Sequence, residues 1–336
     1  MTRHFLDIDD LSCPELDEVL TLAAQPAESA PALLAGRGAA LFFEKPSLRT
    51  RNSTEMAVLA LGGHPVYIGG PEVGIDTRES AEDVARTLAC YHSLICGRVL
   101  DHEVLVRMAA ALDGDAGPGA GVGVGVGVGA GPGAGAGAGA PGVPLVNLLS
   151  DRAHPCQVLA DLLTMRQVFG DLGGRTLAYV GDANNVWRSL ALGAAMLDMS
   201  FRTAAPDGYA PDADDLARVA RLGGDIEITT DPVEAVAGAD AIYTDVWTSM
   251  GQEEESVLRR KAFSGFTIDD DLLAHAAPDA IVLHCLPAHR GEEIAASVID
   301  GPRSHVWQQA TNRMHAMRGL LTWILGAASS APGVGA

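Results

Sequence analysis

The chain has 336 residues, of which 48% are hydrophobic and 20% charged, and a formal net charge of −20. That length leaves room for two domains, because single cores stop growing near roughly 250–300 residues. The negative field argues against nucleic acid or a membrane surface as a partner, but not against a small anion in a local basic pocket.

The amino terminus, "MTRHFLDIDD", puts acidic residues where a secretion leader needs an apolar core. No run of about 18 strongly apolar residues predicts a membrane span. Five cysteines (Cys13, Cys90, Cys96, Cys156 and Cys285) without a Cys-x-x-Cys pair read as reduced thiols in a cytoplasm.

The first strand-like run is "AALFF" (39–43), followed by the turn "EKPSLRTR" and the helical pattern "RNSTEMAVLALGG". A turn between strand and helix aims free backbone N–H groups outward. Those donors, the helix dipole, the hydroxyls of Ser47 and Thr50 and the guanidinium of Arg49 all favour an anion there. An arginine fork suits phosphate oxygens. The alternative is a solvated polar turn. "HPVYI" (64–68), the helical "RESAEDVARTLACYH" and "SLICGRV" (93–99) continue the alternation, which is that of parallel sheets covered by helices.

Residues 114–144, "GDAGPGAGVGVGVGVGAGPGAGAGAGAPGVP", carry no side chains to build a core and predict a solvent-exposed, disordered insertion. Within them "GAGAPG" matches Gly-x-Gly-x-x-Gly in letters. It follows no strand and opens no helix, so the dinucleotide reading is discarded.

After the strand "VPLVNLL" comes "DRAHPCQVLADLLTM" (151–165). Pro155 suits a first helical turn, which sets His154 and Gln157 at one helix entrance. Together they suit a carbonyl or an amide nitrogen, and a structural cap is the alternative. Three later strands end in polar turns: Asp182, Asn184 and Asn185 in "YVGDANNVWRSL"; Asp245, Ser249 and Met250 in "TDVWTSMGQEEE"; Cys285 in "VLHCLPAHRGEE". Ligands of open parallel sheets sit at such strand ends.

Taken in order, "SLRTR", "HPCQ", "DANN", "DVWTSMG" and "HCLPAHRG" resemble the ornithine carbamoyltransferases, over about residues 39–325 apart from the glycine tract. The resemblance implies an α/β fold of two domains, each a mostly parallel sheet covered by helices. Residues 1–150, with the insertion at 114–143, would bind carbamoyl phosphate, and 151–303 would bind ornithine. A C-terminal helix, about 304–325, would return to the first domain. It further implies a cytoplasmic homotrimer or multiple of trimers, with sites at subunit boundaries and no metal or organic cofactor.

By motif position, Ser47, Leu48, Arg49, Thr50 and Arg98 would hold carbamoyl phosphate together with His154, Gln157, Cys285, Leu286 and Arg313 in "TNRMH". Of these, Arg49, His154, Cys285 and Arg313 would be catalytic. Asn185, Asp245, Ser249 and Met250 would bind ornithine. The product would be citrulline, within arginine biosynthesis.

Two stretches depart from the family pattern. The loop "GGPEVGIDTRES" (69–80), about two residues longer than the family pattern, offers Glu72 or Arg78 as the contact reaching a neighbouring subunit. Trp187 and Arg188 replace smaller residues after "DANN", and both are expected to face away from the pocket. Putrescine or acetylornithine as the accepted amine, a silent carbamoyl phosphate-binding relative and a nucleotide-dependent oxidoreductase are the competing readings.

Overall fold

The apolar runs become strands, and the patterned segments between them become the helices that cover the sheets. A computed structural model describes residues 2–114, 142–248 and 253–329. The expected disordered insertion lies outside the described residues at 115–141, as do Ser249 and Met250.

The first half runs α1 (Cys13–Ala24), β1 (Gly38–Phe43), α2 (Leu48–Ala60), β2 (His64–Gly69), α3 (Gly70–Val73), α4 (Ala81–Tyr91), β3 (Leu94–Arg98), α5 (His102–Leu112) and β4 (Leu145–Leu149). Then come α6 (Pro155–Phe169), β5 (Thr176–Val180), α7 (Asn185–Met196), β6 (Ser200–Ala204) and α8 (Ala213–Arg221). The chain continues through β7 (Ile226–Thr229), α9 (Pro232–Val236), β8 (Ala241–Thr244) and α10 (Ser256–Ala262). It finishes with α11 (Asp270–Leu273), β9 (Ile281–His284), α12 (Ala296–Ile299) and α13 (Val306–Ser329).

Two sheets result, ordered β2-β1-β3-β4 and β7-β6-β5-β8-β9, with every named pair parallel. These orders place the ligand crevices. In the first sheet the chain winds outward from β1 to β2 and then returns to β3 on the other side of β1. In the second it winds out through β5, β6 and β7 before returning to β8. The loops after β1 and β3, and after β5 and β8, therefore part at the two switch points.

Helix α13 returns to pack on α1, α6 and α2. Its approach to α1 depends on Gly319, where a Cβ would sit 2.6 Å from the Ala23 nitrogen and 2.7 Å from the Val19 oxygen. Arg318, the residue before Gly319, donates to the carbonyls of Ala23 and Gln25 and so satisfies the end of α1. Among the described residues no helix is long and apolar enough to cross a membrane.

Candidate active site

The two switch points open into one cleft of about 1240 Å³. Its walls include the expected Ser47, Leu48, Arg49, Thr50, Arg98, His154 and Gln157 at one end. At the other are Asn185, Asp245, Cys285 and Leu286, and Arg313 also lines the cleft.

The cationic end is built from three separated parts of the chain. Ser47 caps α2, its hydroxyl accepting the Thr50 N–H at 3.3 Å, and no acidic residue occupies the first turn. The N-terminal amides of α2 thus keep their positive field. Of the two arginines in this turn, Arg51 is used structurally: it pairs with Glu55 at 2.8 Å and stacks 4.0 Å from the Tyr67 ring. Arg49 lines the cleft instead.

Arg98, buried at the end of β3, and Arg313, buried on α13, both donate to the Thr50 hydroxyl, at 3.5 and 3.4 Å. Arg313 also donates to the Gln157 side-chain oxygen. Burial, then the Arg313 and Arg49 charges, pull the Arg98 pKa down to about 10. Its Nε has no hydrogen-bond partner. Among the described residues no carboxylate forms an ion pair with Arg49, Arg98 or Arg313.

His154 stands at the N-cap of α6, buried, with its ring Nδ1 unpartnered. Burial, then Arg313, Arg98 and Arg49, hold its pKa well below the ordinary value. The ring is therefore neutral and able to offer one N–H to a carbonyl oxygen. A relay sets its backbone: His154 N–H donates to the Ser189 hydroxyl at 3.0 Å, and that hydroxyl donates to Asp7 at 2.7 Å. The acidic amino terminus thus supports the site, a role its sequence gave no sign of.

The opposite end is satisfied within itself. Asp245 Oδ1 accepts the Cys285 S–H and the Val246 N–H, each at 2.8 Å, and Oδ2 accepts the Asn184 amide at 2.8 Å. Burial, then the Asp245 charge, push the Cys285 thiol far up, so it remains S–H. Leu286 is non-glycine at φ 59°, a conformation that costs on the order of 1 kcal/mol. It is held by its N–H on His284 Nδ1 at 2.9 Å, and the other ring nitrogen of His284 meets Glu293 at 3.1 Å. Although ligating atoms of Asp245, His284 and Cys285 lie within 4.8 Å of one another, these bonds engage both His284 nitrogens and keep the thiol protonated.

Of the two neighbouring asparagines, Asn185 spends its amide on the Ser150 carbonyl at 2.6 Å, and Asn184 reaches Asp245. Glu72 and Arg78 do not line the cleft: Glu72 accepts from Gly69 N–H at 3.2 Å, and Arg78 donates to the Glu72 carbonyl at 3.1 Å. Trp187 faces away, fully buried with its N–H on the Thr203 hydroxyl at 2.9 Å. Arg188 corrects the expectation. One residue further turns a helix by about 100°, and Arg188 lines the cleft with its Nε held by Asp215 at 2.8 Å.

Residues 3–167 match the carbamoyl-P binding domain of the aspartate/ornithine carbamoyltransferases, and residues 173–324 match their Asp/Orn binding domain. The ornithine carbamoyltransferase of Acidothermus cellulolyticus is 46% identical over 335 residues, covering 98% of each chain. The crystal structure of the Thermus thermophilus ornithine carbamoyltransferase superposes with TM-score 0.81 at 39% identity, over 97% of this chain and 99% of that one. The Pyrococcus furiosus structure gives 0.84 at 39%, over 96% and 97%. Two parallel sheets meeting at a cation-lined cleft, matched along nearly their whole length, place the chain in the aspartate/ornithine carbamoyltransferase family.

Proposed function

We propose that this cleft transfers the carbamoyl group of carbamoyl phosphate to the δ-amine of L-ornithine, giving L-citrulline and phosphate. The observation that carries the reading is three converging guanidiniums beside a neutral imidazole, without a carboxylate partner, facing a carboxylate–thiol pair across one cleft. On this reading the first sheet and α13 hold carbamoyl phosphate, and the second sheet holds ornithine.

The δ-ammonium of ornithine releases one proton to solvent, and the neutral amine then attacks the carbamoyl carbon. The new N–C bond forms, the C–O bond to phosphate breaks, and the electron pair leaves with phosphate. Arg49, Arg98 and Arg313, with the α2 amides and the Ser47 and Thr50 hydroxyls, bind the phosphate. The exposed Leu48 supplies its backbone N–H. His154 and Gln157 grip the carbamoyl group, and the leaving phosphate takes the second proton, which the attacking nitrogen sheds once the N–C bond has formed. Asp245, Cys285 and the Leu286 carbonyl orient the amine, and binding of the amino acid is assigned to Asn185 together with Ser249 and Met250 of the same motif set.

The exposed apolar face of α2, with Leu48, Met56 and Leu59 at 77%, 51% and 50% exposure, supports a homotrimer as the working unit. Arg78, which spends one nitrogen on its own loop, is the residue of that loop suited to a neighbour's anion. Five free thiols support a cytoplasmic location.

Citrulline formation measured side by side with ornithine, putrescine, acetylornithine and aspartate tests the reading, which expects ornithine to lead. Arg49→Ala should abolish turnover, and near-normal activity would overturn that role.

A further inference from the structure

Helix α6 is buried at every residue from Pro155 to Met165, so its polar members need partners within the protein. Asp161 is fully buried one turn after Gln157. Its Oδ1 accepts from the Gln157 amide nitrogen at 2.7 Å and from the Gln309 amide nitrogen at 2.6 Å. Each glutamine then presents its oxygen elsewhere. Gln157 Oε1 accepts from Arg313, and Gln309 Oε1 accepts the backbone N–H of His284 at 2.9 Å. His284 directly precedes Cys285 and holds the Leu286 N–H through its own ring.

A carboxamide can be flipped with almost no change of shape, and the two orientations exchange an accepting oxygen for a donating NH2. With Asp161 accepting its NH2, Gln157 must show oxygen to the Arg313 guanidinium. Flipped, it would set N–H donors against that cation. The second carboxylate oxygen, Oδ2, is buried without a partner. Such burial disfavours folding, so packing alone does not explain a carboxylate at this position.

We infer that Asp161 is a positioning residue. It fixes Gln157 in the orientation that directs Arg313 into the cleft and, through Gln309, fixes the backbone beside Cys285, joining the phosphate end to the amine end from within. The inference rests on the carbamoyl-transfer reading of the cleft.

The test compares the full-length wild type with Asp161→Asn, Asp161→Leu and Gln309→Leu, measuring kcat, KM for each substrate and melting temperature. Asp161→Asn keeps an accepting oxygen and should retain kcat/KM within about fivefold, whereas Asp161→Leu should lose about a hundredfold or more. Gln309→Leu severs only the amine-side branch. It should raise the KM for ornithine about tenfold and leave that for carbamoyl phosphate within about twofold. Should Asp161→Leu not fold, rescue by asparagine and the Gln309→Leu split still decide. An asparagine variant as impaired as the leucine variant, or a Gln309→Leu variant moving both KM values equally or neither, overturns the inference. A wild type that makes no citrulline would instead defeat the carbamoyl-transfer reading itself.

Discussion

The two ends of the cleft differ in how their polar groups are satisfied. At the cationic end, Arg98 Nε and His154 Nδ1 have no partner, and burial, then the neighbouring guanidiniums, lower the proton affinity of Arg98 and His154. At the other end both oxygens of Asp245 are already engaged, by Cys285, Val246 and Asn184. The first end therefore lacks only an anion, and binding one relieves repulsion already present in the folded protein. The second must exchange existing hydrogen bonds for those of its ligand, so its net gain is smaller. Inorganic phosphate alone should raise the melting temperature, while ornithine alone should shift it little.

Arg98→Met should break this contrast most severely. It removes a buried guanidinium that has no carboxylate partner, so folded stability should hold or rise. Phosphate-induced stabilisation should vanish, and kcat/KM for carbamoyl phosphate should fall about a thousandfold. Thermal shift with and without phosphate, beside the citrulline assay, measures both. A variant that loses stability yet keeps its phosphate response would show that the cationic end is not strained.

Asp245→Asn attacks the self-satisfied end. One of the three donors now serving the carboxylate would face an NH2 group. The kcat/KM for ornithine should drop about a hundredfold while KM for carbamoyl phosphate stays within about threefold. Equal losses for both substrates would mean that the two ends are not separable.

A smaller effect concerns Cys285. Since its thiol is pushed up by burial and by Asp245, iodoacetamide at pH 8 should label the exposed Cys13 and Cys90 first. Cys285 should react roughly tenfold or more slowly, and faster in the Asp245→Asn variant. Mass spectrometry of the peptides reads the order; early labelling of Cys285 would place a thiolate where we place S–H.

Most of the fold was legible because buried parallel strands are short apolar runs, and the alternation of such runs with helices fixes the class. Much of the cleft was legible for a related reason: functional groups at strand ends are local in sequence, as in "SLRTR" and "HCLP". What hid from sequence was non-local. The bonds linking Arg313 to Thr50 and Asp161 to Gln309 span 263 and 148 residues. Nothing in "DIDD" signals that Asp7 steadies Ser189 beneath His154. Adjacent residues were a second limit. Pattern alone does not say which of Asn184 and Asn185 turns toward Asp245, nor that Arg188 turns into the cleft while Trp187 turns out. Those choices depend on helix phase at the first turn, which only the packed structure fixes.

The last expected effect is on stability rather than turnover, and it lies beneath both ends of the cleft. Burial raises the pKa of Asp161 from 3.8 to about 7 and that of Asp7 to about 6. Between the unfolded and folded values the native protein holds protons that the unfolded chain has released. These two carboxyls therefore favour folding fully below the unfolded value, and their contribution is lost as pH rises through about 4 to about 7. His154 acts in the opposite sense. Its folded pKa lies well below 6.5, so its contribution is present above the unfolded value and is lost as pH falls. The raw pH profile mixes the two, but the difference between wild type and Asp161→Asn isolates one. Wild type should gain on the variant by on the order of a few kcal/mol between pH 8 and pH 5, read from urea unfolding at each pH. A gap that stays level across that range would mean that Asp161 remains ionised in the core, held there by the Gln157 and Gln309 amides and the Arg313 charge.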